Sequence, residues 1–162
     1  MDTTIFYKIV RKHFNYLVTD FGFISDEIDG NQDYGAVKFV SPKSIILVEA
    51  DRDQLGVRIK PADYPTGIYI DLNWIIEYLT NKTATDLPRV SFPITESQID
   101  YVLQVYARLL KTYCHNFLNG DFSRWKDLIM YVIEEMKVNY RAATGMELPS
   151  EAYQRLKDYI DK

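Results

Sequence analysis

The sequence predicts an α+β fold: an N-terminal helix, an antiparallel meander of three to four strands, and about four helices packed on the sheet. The run from Tyr34 to Lys60 reads as three extended segments separated by two turns, Ser41-Pro42-Lys43 and Asp51-Arg52-Asp53. On both sides of this run, apolar residues recur at steps of three and four, which is the period of helices. Strands and helices are therefore segregated along the chain.

The first helix is predicted to start with Thr3 or Thr4 as its N-cap and to end before Gly22. A polar loop, SDEIDGNQDYG, then leads into the meander. Its Asp29 to Asp33 stretch resembles the start of a calcium loop, with oxygen ligands at alternate positions. Tyr34 and Val40 stand where that motif needs glycine and glutamate. Ordinary turn chemistry explains the loop, so no metal site is predicted.

The middle strand, Ser44 to Ala50, has an almost continuous apolar run, so we expect it to be central and covered on more than one side. Leu47→Asp is accordingly predicted to unfold the domain. The third strand alternates apolar with polar residues, which is typical of one dry and one wet face. After the turn at Tyr64-Pro65-Thr66-Gly67, Ile68 to Ile70 could add a short fourth strand.

Capping residues predict where the later helices begin and end. Asp71 is a plausible N-cap for a short helix, and Thr95 with Gln98 matches a capping box before a long one that Asn119-Gly120 closes. Another long helix is predicted from Asp121 or Ser123 to Gly145, and Ser150 caps a final one. The whole chain, 1–162, is predicted to be one domain. The connector 80–93 is the candidate boundary between a helix-plus-sheet part, 1–79, and a helical part, 94–162.

The charge balance and the cysteine content limit the partners and the compartment that the sequence predicts. The net charge is −4 and the isoelectric point about 5.2, whereas nucleic-acid binders need a surplus of Lys and Arg. No segment approaches the ~18 consecutive apolar residues of a membrane span. The single cysteine, Cys114, and an N-terminus without a signal-peptide pattern favour the reducing cytoplasm. Neither nucleic acid nor membrane is a predicted partner.

The chain lacks the residue spacings of common active sites. Cys114 and His115 are adjacent in a predicted helix, so their side chains diverge and cannot form a local nucleophile and base, and His13 is far away in sequence. The sequence contains neither His and Cys residues at the spacing of a zinc site nor a glycine-rich phosphate-binding motif. Acidic pairs such as Glu134 with Glu135 fit a solvated helix face, and nothing marks a buried acid. The sequence thus predicts no catalytic residue, cofactor or metal.

The surplus of aromatic residues is the strongest functional signal. The chain has 13 Tyr, 8 Phe and 2 Trp, and several tyrosines interrupt the apolar stripes of the helices. Tyrosine is enriched at interfaces because it combines a large apolar face with a polar tip. We predict a binding surface around Tyr64, Tyr69 and Trp74 beside the sheet edge, with Arg52 at the charged hairpin tip as a polar anchor. The alternative explanation of the charges at this tip is that they form ordinary ion pairs on an exposed turn and bind no partner.

From Phe14 to Pro61 the chain resembles small uncharacterised bacterial domains, some of them immunity or accessory proteins. The shared features are a first helix ending in the phrase YLVTDFGF and a meander with an acid–basic–acid tip. The resemblance stops before Thr95. It implies an acidic protein that binds another protein, such as a basic toxin, and it carries over no catalytic residues.

The sequence therefore predicts a non-catalytic, cytoplasmic protein-interaction domain that binds a protein partner or forms a homo-oligomer. The alternative is a small enzyme or small-molecule binder. It would use a pocket between sheet and helices, lined by Tyr and Trp, with Arg52 or Arg58 as the polar anchor.

Overall fold

The structure is a computed structural model that describes residues 3–28, 34–51, 54–64, 67–83, 87–88 and 95–161. It confirms the α+β class, with an N-terminal helix, an antiparallel sheet and several later helices. The strands are β1 (Ile24–Ile28), β2 (Tyr34–Val40), β3 (Ser44–Asp51), β4 (Gln54–Pro61) and β5 (Ile70–Asp71). The helices are α1 (Thr3–Thr19), α2 (Leu72–Leu79), α3 (Glu96–Tyr113), α4 (His115–Leu118), α5 (Trp125–Thr144) and α6 (Gln154–Ile160), with a 3₁₀ turn at Ser150–Ala152.

The described strands form one sheet in the order β1-β2-β3-β4-β5, and each neighbouring pair is antiparallel. The central position predicted for β3 is confirmed, and its residues 44–48 are all buried. The sheet has more strands than the three to four predicted, because β1 forms inside the segment predicted to be a polar loop. Its five residues pair with β2 in continuous register. Backbone pairing to a ready-made strand outweighs the weak local β-propensity of this acidic segment.

Helix α1 covers one face of the sheet. Phe6, Val10, Phe14 and Leu17 are fully buried along it, and the Phe14 and Phe39 ring centroids lie 6.2 Å apart. Helix α3 lies beside α1: the Tyr16 hydroxyl donates to the carbonyl of Ala107 at 3.0 Å. The core therefore lies between one face of the sheet and the pair α1 and α3.

The capping predictions for two helices are confirmed. The Asp71 carboxylate accepts from the backbone N–H of Asn73 at the start of α2. Thr95 and Gln98 make both bonds of the capping box at the start of α3. These bonds satisfy N–H groups that have no partner within the helix.

The predicted helix to Asn119-Gly120 is interrupted in the structure. Helix α3 ends at Tyr113, Cys114 leaves helical geometry at φ −102° and ψ 19°, and the short α4 follows. The buried Ser44 hydroxyl donates to the carbonyl of Phe117 at 2.5 Å, which ties α4 to β3. Gly120, at φ 78°, then reverses the chain.

The last helices differ from the prediction at their starts. Helix α5 begins at Trp125, not at Asp121 or Ser123, because the Asp121 carboxylate accepts from the Ser123 N–H in a turn instead. It ends as predicted at Gly145, a left-handed C-cap at φ 71°. Ser150 begins a 3₁₀ turn, and α6 starts four residues later.

Most of the connector 80–93 lies outside the described residues, so the boundary there stays a prediction. The parts on either side of it do contact each other. The Lys12 ammonium lies 2.8 Å from the Asp100 carboxylate, across α1 and α3. Buried side chains from both parts belong to one hydrophobic cluster.

Candidate functional site

The sheet has two faces with different surroundings. Directly opposed residues of an antiparallel pair share a face, so the register divides the side chains. We call the face that contacts α1 the core face; it carries Phe39, Ile46 and Val57. The other is the outer face. It carries Ile24, Asp26 and Ile28 of β1; Tyr34, Ala36, Lys38 and Val40 of β2; Ile45, Leu47 and Glu49 of β3; Gly56, Arg58 and Lys60 of β4; and Asp71 of β5.

The contacts between described helices and the sheet fall on the core face. A Cβ built on Gly35, on the core face of β2, would lie 3.2 Å from the Phe6 ring of α1. Arg11 of α1 pairs with Glu27, whose register partner is the core-face residue Val37. Ser44, also on the core face, bonds to α4. On the outer face, Asp71 is an exception, because its carboxylate accepts from the Asn73 N–H of α2. Ala36, Ile45 and Leu47 on the outer face are also buried.

Two carboxylates flank a glycine on the outer face. The position that a Cβ of Gly56 would occupy lies 3.8 Å from Oε1 of Glu49 and 3.9 Å from Oδ2 of Asp71. Nε of Arg58 lies 2.8 Å from the same Glu49 oxygen. The pKa of Glu49 is raised because its side chain is only 12% exposed, and Arg58 offsets part of that burial effect. Burial likewise raises the pKa of Asp71.

Glu49 corrects the sequence-based conclusion that nothing marks a buried acid. In the sequence it is one glutamate at the end of an apolar run. Its low exposure comes from its position on the central strand, two strands away from each edge strand and beside Gly56. Titratable groups with shifted pKa values often cluster at functional sites. Ion pairs with a purely structural role inside a sheet also shift pKa values.

A buried lysine lies further along β4. Lys60 is 4% exposed, and its ammonium donates to the carbonyl of Tyr64 at 2.8 Å. The pKa of Lys60 is lowered, first by burial and then by the neighbouring charge of Lys38. The Tyr69 ring centroid lies 5.5 Å from the ammonium nitrogen, a cation–π distance. Tyr69 thus contacts the sheet near its β4 end and is half-buried.

The β1 edge is the most exposed apolar part of the sheet. Ile24 is 75% exposed and Ile28 is 36% exposed. Asp26 lies between them on the same face and forms no ion pair with the described residues, although Lys38 is its register partner on β2. On the core face, Glu27 pairs with Arg11. The sequence prediction missed this edge, because three consecutive polar residues, 25–27, interrupt any apolar alternation and read as a loop.

The described members of the predicted binding set, Tyr64, Tyr69 and Trp74, have different surroundings. Arg52 lies outside the described residues. Tyr64 is only 3% exposed, so its ring is not available to a partner. Trp74 is half-buried, and its ring centroid lies 6.4 Å from that of Tyr131 on α5. Binding through Arg52, Tyr64, Tyr69 and Trp74 stays a prediction.

Tyr64 belongs instead to an aromatic cluster at one end of the sheet. Its ring centroid lies 4.3 Å from that of Tyr159 and 5.9 Å from that of Trp125. The Tyr64 hydroxyl and the Trp125 Nε1–H are buried, with no hydrogen-bond partner among the described residues. A groove of about 300 Å³ lies beside the cluster. It is lined by Pro42, Lys43, Pro61, Ala62, Asp63, Gly120, Phe122 and Tyr159.

The histidines and the cysteine occupy separate places. Nε2 of His13 lies 2.8 Å from Oδ1 of Asp100, which also binds Lys12; these two hydrogen bonds lower the pKa of Asp100. The ring of His115 contacts Phe21 at 5.5 Å between centroids. Cys114 is fully buried, and burial raises the pKa of its thiol to about 12. A thiol with that pKa is not a nucleophile near neutral pH.

Within the described residues, no group of three or more His, Cys, Asp or Glu is placed to hold a metal ion. No described helix has the length and apolar character needed to cross a membrane. Comparison of the chain with protein-family models, with curated proteins and with solved structures found no match.

Proposed function

We propose that the protein is a non-catalytic protein-binding domain whose partner docks on the β1 edge of the sheet. One observation carries the proposal: Ile24 is 75% exposed and Ile28 is 36% exposed on an edge strand. Proteins commonly protect such edges, because exposed strand edges with apolar side chains pair with other chains. A partner that covers both isoleucines would remove this surface from water.

The charge of the chain supports a basic partner. The net charge is −4, and Asp26, which forms no ion pair with the described residues, lies in the centre of the edge. The resemblance of residues 14–61 to bacterial immunity and accessory domains fits the same class of partner, a basic toxin. The single buried cysteine fits the cytoplasmic location that the sequence predicts.

The experiment is affinity capture from the native cell with three forms of the protein: wild type, Ile24→Lys with Ile28→Lys, and Val138→Lys. Val138 is the matched control because it is 59% exposed but lies on α5, away from the sheet. We expect a partner that wild type and Val138→Lys retain and the double variant loses. Partner retention by the double variant, or capture of nothing by wild type, would contradict the proposal.

A second candidate function is small-molecule binding at the aromatic cluster. The observation that favours it is a pair of buried donors, the Tyr64 hydroxyl and the Trp125 Nε1–H, which have no partner within the described part of the chain and lie beside a groove of about 300 Å³. Pockets for small molecules combine aromatic walls with a few polar groups in this way. A rise in melting temperature with one member of a metabolite library, lost in Phe122→Ala, would support it. A library without effect would leave protein binding as the function.

A further inference from the structure

We infer that the partner of the β1 edge is an extended segment that adds to the sheet as a sixth strand, with a Lys or Arg opposite Asp26 and apolar residues two positions to either side. This inference rests on the proposed function and names the partner's chemistry. Peptides that extend a sheet gain affinity from backbone hydrogen bonds and specificity from alternate side chains.

The backbone of β1 offers the hydrogen bonds. In an antiparallel pair, alternate residues direct their N–H and C=O groups away from the neighbouring strand. β1 pairs with β2 on one side, and no other described strand pairs with it. At one end the carbonyl of Ile28 already accepts from the Tyr7 hydroxyl at 2.8 Å, so this carbonyl is not among the groups that β1 offers to a partner. The opposite edge cannot accept a strand of this length, because β5 has two residues and continues directly into α2.

The side chains of β1 specify the partner's sequence. Ile24, Asp26 and Ile28 occupy alternate positions on the outer face, so a paired strand presents its own alternate residues to them. Apolar residues opposite the two isoleucines would cover their exposed surface. A cation opposite Asp26 would supply the ion pair that the described residues do not. On the core face Glu27 is already paired with Arg11, so Asp26 is the charge that selects the partner.

A second copy of this chain fits the edge poorly. Two β1 strands related by a two-fold axis bring Ile24 opposite Ile28 only in the register that centres on residue 26. That register places the two Asp26 carboxylates directly opposite each other, and like charges in that position destabilise a strand pair. Moving the register by two residues places an isoleucine opposite Asp26. Charge on the edge thus selects against self-pairing and for a basic strand.

The test uses two capped peptides, Thr-Val-Thr-Arg-Thr-Val-Thr and the same peptide with Glu in place of Arg. Binding to the full-length protein is measured by amide chemical-shift changes in nitrogen-15 spectra, at low and at high salt. We expect the Arg peptide to bind at least tenfold tighter than the Glu peptide, with the largest shifts at residues 24–28. Asp26→Lys should reverse the order of the two peptides, and added salt should reduce both preferences.

Equal binding of the two peptides, absence of binding by either at millimolar concentration, or shifts confined to another surface would overturn the inference. Self-association in light scattering that Ile24→Lys abolishes would also overturn it in favour of a second copy. The spectrum of each variant verifies that it is folded, and Asp26→Asn, which should equalise the two peptides, serves if Asp26→Lys does not fold. If the peptides fail while capture still depends on Ile24 and Ile28, the protein-binding proposal stands and strand addition does not.

Discussion

Acidic substitutions at two adjacent positions of β3 should have very different effects on stability. Val48 is fully buried on the core face, and Leu47 is 8% exposed on the outer face. The sequence alone predicts that Leu47→Asp unfolds the domain. The structure changes this expectation, because Leu47 has Lys38 and Arg58 as its register partners on the two neighbouring strands.

The magnitudes follow from these surroundings. Leu47→Asp forfeits the burial of one leucine, about 1.5–3 kcal/mol. Two cross-strand pairs with opposite charges return about 0.2–1 kcal/mol each, which leaves a net loss of about 0–3 kcal/mol. Val48→Asp loses a similar burial and also places an unpaired carboxylate in the core, at a further cost of several kcal/mol. Its total should exceed about 5 kcal/mol, comparable to the whole stability of a typical domain.

Urea unfolding of both variants measures these losses, with Leu47→Lys as the control of opposite charge. Leu47→Asp should unfold cooperatively, with a melting temperature lowered by about 2–4 °C per kcal/mol in a chain of this size. Val48→Asp should not fold. Leu47→Lys should be less stable than Leu47→Asp, since it faces two cations. If Leu47→Asp fails to fold, or if Leu47→Lys is the more stable of the pair, our assignment of charges around Leu47 is wrong.

Two further predictions concern Glu49 and the left-handed glycines. Burial raises the folded pKa of Glu49 above its ordinary value of 4.5, so the contribution of this group to stability is fully present below that pH and is lost as the pH rises through the folded pKa. Glu49→Gln should remove this loss and be at least as stable as wild type in urea unfolding at pH 7. A Glu49→Gln variant that is clearly less stable at pH 7 would mean that the ion pair with Arg58 outweighs burial. Gly120→Ala should cost more stability than Gly145→Ala, measured by calorimetry. Both glycines have positive φ, worth about 1 kcal/mol, but of the two only Gly120 has a position where a Cβ would collide with the Lys43 side chain. Equal costs would indicate that Lys43 moves aside freely.

The local signals in the sequence were sufficient for most elements. The apolar period of α1, the turn at Ser41 to Lys43 and the capping box at Thr95 each depend on neighbours within a few residues. The central position of β3 also follows from its own composition, because a continuous apolar run needs cover on both faces. These features were predicted from sequence because the forces that determine them act over short distances along the chain.

What only the tertiary structure decided is the location of the candidate site. β1 exists because β2 offers it a backbone partner, and the sequence of β1 by itself reads as a loop. Tyr64 is buried because Trp125 and Tyr159, more than sixty residues away in sequence, pack against it. Glu49 has a raised pKa because the register places it beside Gly56 and Asp71. Exposure and electrostatic environment depend on contacts between distant segments, and no single stretch of sequence contains them.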